Sequence, residues 1–350
     1  MMGVLKSLSD RLLGRGNAAL TVPPLDGALK PNNRLENAPE GIASAEPRAL
    51  VVKDGRVLWA EDSKIMSQDG LAARAQGRIT AMAVSSAGHM AIAAQGRGID
   101  IDGAVPQALA DLSCVTALAF EGTAALWIAV GSTVHPFDAW SRDFLEMRRS
   151  GKVLRFDLGT QTLKSMAERL GFPFGLLPTP AGMVISESWA RRLIRLDAAG
   201  RTTQLAENLP GYPAGLATAA GEGAWMALFA PCNPLLELVL REPQYRQAMM
   251  AEVDPEFWIA PALRSGYSFL EPMQGGALKQ MGILKPWAPT RSYGLVVKLN
   301  ADFVPVESLH SRAGGRRHGV TSVLEDGAKL WVASTGGNEV LCLEAGSGRD

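Results

Sequence analysis

A turn-and-strand pattern that returns six times along the chain restricts the fold more than any other feature of the sequence. Each copy has a glycine turn, a short apolar strand, a loop and a second strand. The turns are anchored at Gly55, Gly88, Gly122, Gly182, Gly223 and Gly327. Several of the intervals lie in the range of roughly 30 to 60 residues expected for propeller blades.

One such unit alone would leave apolar faces exposed, whereas radial packing of several units buries those faces and leaves only short strand edges. Hydrophobic residues make up 47% of the chain and charged residues 20%, so a large core can form. The sequence therefore predicts an all-β fold, a six-bladed β-propeller over residues 41–350. Residues 1–40 are predicted to form an N-terminal arm.

The segment of residues 231–273 departs from the strand pattern and shows helical spacing of its apolar residues. Pro243, Pro255 and Pro261 divide it into short pieces, because proline interrupts a helix interior. Insertions of this length are usually lids, caps or interfaces. We expect a helical insertion between late blades that caps one end of the propeller.

The N-terminal arm contains a short amphipathic pattern over residues 4–15, with apolar side chains on one helical face and basic side chains nearby. A helix here could make peripheral contact with a membrane or pack on its own domain. Three cysteines without CxxC spacing favour a reducing, cytoplasmic location. The balance of 35 basic and 35 acidic residues gives no electrostatic footprint for nucleic acid.

Four stretches carry a resemblance to a known family. They are the Pro-Asn-rich lead-in of residues 29–38, the Trp140 region of residues 131–157, the ENLPGYP turn after the Glu187–Arg195 strand, and the Asn233-Pro234-Leu235 insertion with the final blades. Together they resemble the strictosidine synthase-like branch of the SMP-30/gluconolactonase-type six-bladed propellers. The resemblance extends from about Leu29 to the C-terminus.

Gluconolactonase-type relatives hold a divalent metal at the propeller axis with carboxylate and amide oxygens, and this metal can activate a bound water. The resemblance places those ligand positions at residues without such oxygens, namely Ala45, Thr116 or Ala117, Val130, Phe174 and Ala214. A shift of one residue would make Glu46 a ligand. We therefore expect no metal cofactor, with a divalent metal such as calcium as the alternative. The glutamate of the condensing synthases falls near Val320 or Thr321.

A few remaining polar residues are candidates for chemistry. Glu187, with Arg192, could face the central cavity as an acid–base or anion-binding pair, or could form an ion pair that fixes a strand turn. His318 could be a general base near the axis or a solvated loop histidine. His135 and Tyr212 could line the mouth of the pocket or serve in packing. Glu187 and His318 are the candidate catalytic residues.

The leading functional hypothesis is an axial pocket, roofed by the insertion, that binds a small apolar or amphipathic molecule or a partner protein. The predicted lining residues are Ala45, Glu46, Val130, His135, Phe174, Arg192, Tyr212, Ala214 and Thr321. One alternative is a lactonase- or esterase-like hydrolase or a condensing synthase with a non-standard site. Another is an interaction platform without a small ligand. Trp59, Trp127, Trp225 and Trp331 are predicted to lie in the core between blades.

Overall fold

The computed structural model describes residues 22–268, 270–272, 279–280, 283–284 and 290–346. The helix predicted over residues 4–15 lies outside the described residues, as does the end of the predicted cap at residue 273. None of the described helices is both long and apolar enough to span a membrane.

The described chain forms six antiparallel sheets of three or four strands, arranged as the blades of a propeller. Blade 1 contains β2 (Arg48–Lys53), β3 (Arg56–Glu61), β4 (Lys64–Ser67) and β5 (Gly70–Arg74). Blade 2 contains β6 (Ile79–Val84), β7 (Met90–Ala94) and β8 (Gly98–Ile101). Blade 3 contains β9 (Val115–Glu121), β10 (Ala125–Val130), β11 (Gly151–Asp157) and β12 (Leu163–Leu170).

Blade 4 contains β13 (Pro173–Thr179), β14 (Gly182–Glu187), β15 (Arg192–Leu196) and β16 (Thr202–Ala206). Blade 5 contains β17 (Gly211–Thr218), β18 (Ala224–Pro231), β21 (Gly294–Leu299) and β22 (Pro305–Ser311). Blade 6 contains β23 (Val320–Asp326), β24 (Lys329–Ser334), β25 (Glu339–Glu344) and the early strand β1 (Ile42–Ala43). The predicted six-bladed propeller is confirmed.

The six glycine anchors occupy equivalent places in the six blades. Five lie in the turn between the first and second strands of their blade, and Gly182 follows that turn as the first residue of β14. All six have positive φ angles, from 58° at Gly122 to 128° at Gly182. Glycine adopts this backbone region without the steric cost that a Cβ atom brings. The repeated glycine therefore marks the hairpin that starts every blade.

The ring is closed by pairing the start of the propeller with its end. In blade 6, Ile42 pairs with Val340 and Ala43 pairs with Glu339. The buried guanidinium of Arg317 binds Glu339 at 3.1 Å and also donates to the Ala38 carbonyl at 2.6 Å. The segment that precedes β1 is thus held against the last blade, and the pairing of β1 with β25 closes the ring.

The four tryptophans predicted as core residues lie in the second strands of blades 1, 3, 5 and 6. Their exposed fractions are between 1% and 5%. Trp59 and Trp331 share one core cluster between blades 1 and 6, and Trp127 packs with apolar residues of blade 4. Since these clusters join neighbouring blades, burial of the indoles stabilises the ring as a whole.

Helical segments occur where the second strand of a blade connects to the third. In blade 3 this connection carries helix α1 (Trp140–Leu145). In blade 5 it carries α2 (Pro234–Arg241), α3 (Pro243–Glu252) and the short strands β19 (Lys279–Gln280) and β20 (Ile283–Leu284). The helical insertion is confirmed, but it lies inside blade 5 and not between two blades. Asn233 caps α2, because its side-chain oxygen accepts from Leu235 N at 2.9 Å.

Candidate functional site

A cavity of about 150 Å³ lies on the propeller axis. All six inner strands contribute to its wall. These lining residues are Arg48–Leu50, Thr80–Met82, Thr116–Leu118, Phe174–Leu176, Gly215, Leu216 and Thr321–Val323. Loops from the same end of the propeller complete the wall, so the cavity combines side chains from every blade.

Six aromatic residues line the cavity: Phe137, Trp140, Phe172, Phe174, Trp189 and Phe229. We call this set the aromatic wall. Trp189 stacks on Phe172 with ring centroids 4.6 Å apart, and Trp140 meets Phe229 edge-on at 5.5 Å. Offset and edge-to-face contacts of this kind stabilise aromatic clusters. Because Trp140, Phe174 and Trp189 are only partly buried, their rings remain available to a ligand.

The orientation of Trp189 is fixed by a buried carboxylate. Its indole N–H donates to Oδ1 of Asp143 on α1 at 2.8 Å, and Asp143 is 1% exposed. This bond joins the helix of blade 3 to a loop of blade 4. Because both partners are largely buried, breaking this hydrogen bond would leave the indole N–H unsatisfied, so the bond holds Trp189 in one orientation.

Two arginines stand at the mouth of the cavity. Arg48 begins β2 and is 8% exposed, and Arg78 immediately precedes β6. Arg78 contacts Asp138 and Glu46, each at 2.6 Å. Burial, and after it the positive charge of Arg78, lowers the pKa of Arg48 to about 10. The polar end of an otherwise apolar cavity is therefore cationic on its inner side.

The insertion covers the cavity through its segment after α3. Leu263 lines the cavity, and the neighbouring Trp258, Ala260 and Ala262 are buried. The backbone of Leu263 runs so close to Gly319 and Gly336 that a Cβ atom at either glycine would collide with it. The propeller surface is thus shaped to receive this segment.

The hydroxyl groups around the axis connect one blade to the next. Thr116 of β9 donates to the Pro173 carbonyl of β13 at 2.6 Å. Thr335 donates to the Pro47 carbonyl at 2.7 Å and accepts from Thr321 at 2.5 Å. These donors are already used within the protein, which leaves the central wall with mostly apolar surface.

The donor set does not fit a hard divalent cation. Such a cation needs several oxygen ligands, usually including carboxylates. Asp138 is the one carboxylate in the described lining, and its oxygens already accept from Arg78 and Gln95. Two guanidinium groups would also repel a cation here. Across the described ranges, no group of three or more His, Cys, Asp and Glu residues is placed to hold a metal ion.

The predicted lining residues are distributed unevenly around this cavity. Phe174 and Thr321 line it. Glu46 does not line it, but its Oε2 lies 3.2 Å from Nη2 of Arg48 at the mouth. Ala45 is exposed, and Val130 and Ala214 are buried in strand cores. These three do not contribute to the described wall.

Glu187 is fully buried and lies away from the cavity lining. Its oxygens accept from Arg192 at 2.6 Å, from Arg149 at 3.1 Å and from Gly171 N at 2.7 Å. The geometry is that of an ion pair that fixes the end of β14. Two residues later the chain presents Trp189, so this carboxylate positions the aromatic wall.

His318 is 4% exposed and is not a solvated loop residue. Its Nε2 lies 2.9 Å from the Arg312 carbonyl, so Nε2 carries the proton and donates. Its Nδ1 therefore accepts from Ser292 Oγ at 2.8 Å, and Ser292 contacts Ser265 of the insertion at 2.7 Å. Ser292 is fully buried and does not line the cavity, so this chain of hydrogen bonds links the insertion to blade 6.

His135 and Tyr212 also lie beside the site without lining it. His135 pairs with Glu146 at 2.8 Å near α1. Partial burial raises the pKa of Glu146. Hydrogen bonds from His135 and two arginines outweigh that effect and lower the pKa to about 2. Tyr212 is 1% exposed and packs edge-on against Phe144 at 5.3 Å. Both residues support the elements that carry the aromatic wall.

The sequence reasoning missed Arg48, Arg78 and most of the aromatic wall. A usable signal was present for the arginines, since each directly precedes or begins the apolar run of an inner strand. The aromatic residues come from strands, a helix and loops of three blades and share no spacing. Their convergence depends on how the blades are arranged around the axis.

Solved structures with a similar fold include propellers of the SMP-30/gluconolactonase type. Regucalcin from Agrobacterium tumefaciens, a calcium-binding protein, has a TM-score of 0.53 at 11% identity, covering 87% of this chain and 91% of that chain. A gluconolactonase from Xanthomonas campestris has a TM-score of 0.51 at 14% identity, covering 88% of this chain and 87% of that chain. At these identities the likeness shows the fold alone.

In sequence, the chain is 27% identical over 187 residues to the adipocyte plasma membrane-associated protein of Danio rerio, a strictosidine synthase-like protein. The match covers 49% of this chain and 38% of that protein. No protein-family model matches the chain.

Proposed function

We propose that this protein binds a small, largely apolar molecule in the axial cavity. The observation that carries the proposal is the aromatic wall, which faces the apolar inner strands beneath the Leu263 segment. Small-molecule sites are typically concave and mostly apolar, with a few polar groups that orient the ligand. The cavity matches this description, with Arg48 and Arg78 as the polar groups.

The size of the cavity limits the ligand. An apolar cavity of about 150 Å³ in a protein core accommodates benzene. The cavity here has a similar volume, about 150 Å³. A ligand built around one aromatic ring, or a short aliphatic chain of similar bulk, therefore fits beneath the Leu263 segment.

The proposal includes no resident metal, because the lining offers one engaged carboxylate beside two guanidinium groups. The structurally similar regucalcin is a calcium-binding protein, so a metal assay is part of the test. A lactone or ester hydrolase acting in the same cavity is the second candidate, and the fold shared with a gluconolactonase favours it.

A pair of substitutions on the insertion tests the proposal. Leu263→Trp enlarges a side chain that lines the cavity, whereas Leu238→Trp changes an exposed leucine of α2 that is 44% exposed. We expect calorimetric titration with single-ring aromatic probes to show binding to the wild type and to Leu238→Trp. Binding to Leu263→Trp should weaken by at least about tenfold, because the indole occupies ligand volume.

The same proteins separate binding from catalysis. Hydrolysis of glucono-δ-lactone or phenyl acetate by the wild type and Leu238→Trp, but not by Leu263→Trp, would make the hydrolase the better description. Equal probe binding by all three proteins, or binding by none, would contradict an axial ligand site.

A further inference from the structure

We infer that Arg48 is a carboxylate-binding group of the axial cavity, and that the ligand is a small aromatic carboxylate of the benzoate or phenylacetate class. This inference rests on the proposed function and adds to it the chemical class of the ligand. Neither the fold nor the relatives supply this assignment.

The first step is the state of the Arg48 side chain. Arg48 lines the cavity and is more than nine-tenths buried. Its Nη2 lies 3.2 Å from Glu46 Oε2 and its Nε lies 3.4 Å from the Glu46 carbonyl. The hydrogen bonds that Arg48 makes within the described part of the chain use Nε and Nη2, and neither uses Nη1. Nη1 is therefore free to donate to an acceptor on a ligand.

The second step is the distribution of charge at the mouth. Arg48 and Arg78 face two carboxylates, Glu46 and Asp138. The carboxylate side chains are 45% and 52% exposed, whereas the Arg48 side chain is 9% exposed. Solvent screens the exposed carboxylates more than the buried cation. Asp62 is a third carboxylate whose charge acts on Arg48. Of these groups Arg48 is the most buried, so it is the charge with which a ligand carboxylate inside the cavity would pair.

The third step is the fit of an aromatic body beside this cation. The guanidinium carbon of Arg48 lies 5.3 Å from the centroid of the Phe137 ring, so the charged group and the apolar wall adjoin. The partly buried rings of Trp140, Phe174 and Trp189 continue from there. A planar ring can stack on these residues while its carboxylate reaches the guanidinium, a pairing that arginine geometry favours.

The experiment compares benzoate with benzamide, a neutral molecule of almost the same shape. We expect wild-type protein in calorimetry to bind benzoate at least about tenfold more tightly than benzamide, as a charge-assisted hydrogen bond requires. Arg48→Gln should bind both probes with similar affinity. Arg56→Gln removes an exposed arginine far from the cavity lining, whose side chain is 69% exposed, and should keep the wild-type preference.

Four results would overturn the inference or its basis. Equal binding of the two probes by the wild type would overturn the carboxylate assignment and leave the apolar site intact. A preference for benzoate retained in folded Arg48→Gln would overturn the role of Arg48. Binding of neither probe to the wild type, with other single-ring probes also failing, would overturn the proposed function itself. Should Arg48→Gln not fold, Arg78→Gln must reduce the preference for benzoate, and an unchanged preference would contradict the cationic mouth.

Discussion

Glu187 and Arg192 lie opposite each other in the register of β14 and β15, with their charged groups 2.6 Å apart. The carboxylate is fully buried, and Arg149 and Gly171 N occupy its remaining acceptor positions. The sequence suggested either a catalytic or a structural pair here. The contacts describe a group that is saturated by the protein and that holds the loop leading to Trp189.

We therefore expect replacement of Glu187 to reduce the stability of the protein and not to remove a catalytic group. We expect Glu187→Gln to lower the free energy of unfolding by about 2 kcal/mol, because the buried amide loses the charge-assisted hydrogen bonds from Arg192 and Arg149, whose own side chains are partly solvated. Urea unfolding measures the change. Asp69→Asn is the control, since the Arg56–Asp69 pair is exposed, and it should change stability by less than about 1 kcal/mol. Full stability together with lost turnover in Glu187→Gln would instead indicate a catalytic carboxylate.

The docking of the insertion should depend on Gly336. A Cβ atom at this position would overlap the Leu263 carbonyl, whereas Gly314 in a nearby loop has nothing within 4 Å. We expect Gly336→Ala to displace the segment and destabilise the protein by about 1 to 3 kcal/mol. Limited proteolysis of the insertion should become faster. Gly314→Ala should behave as wild type, and a protease pattern unchanged in Gly336→Ala would show that the segment is not held there.

His310 should make stability depend on pH between about 6.5 and 4. It is fully buried between Tyr293 and Ser308, and Ser308 donates to the Ala28 carbonyl, so His310 Nε2 donates and Nδ1 accepts. Burial, and after it the charge of Arg312, lowers the pKa of His310 to about 4.

The neutral form of His310 is therefore favoured in the folded protein. Its contribution of about 3 kcal/mol is complete above about pH 6.5 and is lost as the pH falls toward 4. Urea unfolding across this range should show a steeper fall for the wild type than for His310→Gln. Parallel curves for the two proteins would contradict the prediction.

The two buried tyrosines should respond differently to loss of the hydroxyl. Among the described residues, the Tyr212 hydroxyl has no hydrogen-bond partner, whereas the Tyr293 hydroxyl lies 3.0 Å from His310. We expect Tyr212→Phe to be neutral or slightly stabilising and Tyr293→Phe to lose about 1 kcal/mol in thermal or urea unfolding. If Tyr212→Phe also weakens probe binding, the hydroxyl contacts the ligand or a water at the site.

Removal of divalent cations should leave the protein unchanged. The cationic mouth and the single engaged carboxylate of the lining do not suit such an ion. We expect elemental mass spectrometry of protein purified without chelators to find well below one equivalent of calcium, zinc or magnesium. Chelator should not shift the melting temperature or the affinity for probes. About one equivalent of metal, lost together with stability on chelation, would contradict the proposal.

Much of the fold could be predicted because it repeats. The glycine anchors, the second-strand tryptophans and the departure from the pattern at residue 231 each mark a local feature with a local cause. A turn such as that at Gly55 requires a positive φ wherever it lies in space. Such features can be recognised in the sequence without knowledge of the tertiary structure.

The candidate site was harder to predict because its parts are far apart in the chain. Arg48, Phe137, Trp189 and Leu263 come from different blades or from the insertion, and no spacing relates them. The resemblance to a metal-binding family predicted lining residues such as Ala45 and Val130, but the propeller does not place these residues in the cavity wall. Burial of an arginine that begins a strand is decided by its neighbours in three dimensions.

A crystal structure of the protein grown with saturating benzoate tests the central claim most directly. The prediction is density for one benzoate in the axial cavity, with its carboxylate at Arg48 and its ring against Trp189. An axial cavity that contains only water, or benzoate bound only at other surfaces, would contradict the assignment of this cavity as the ligand site.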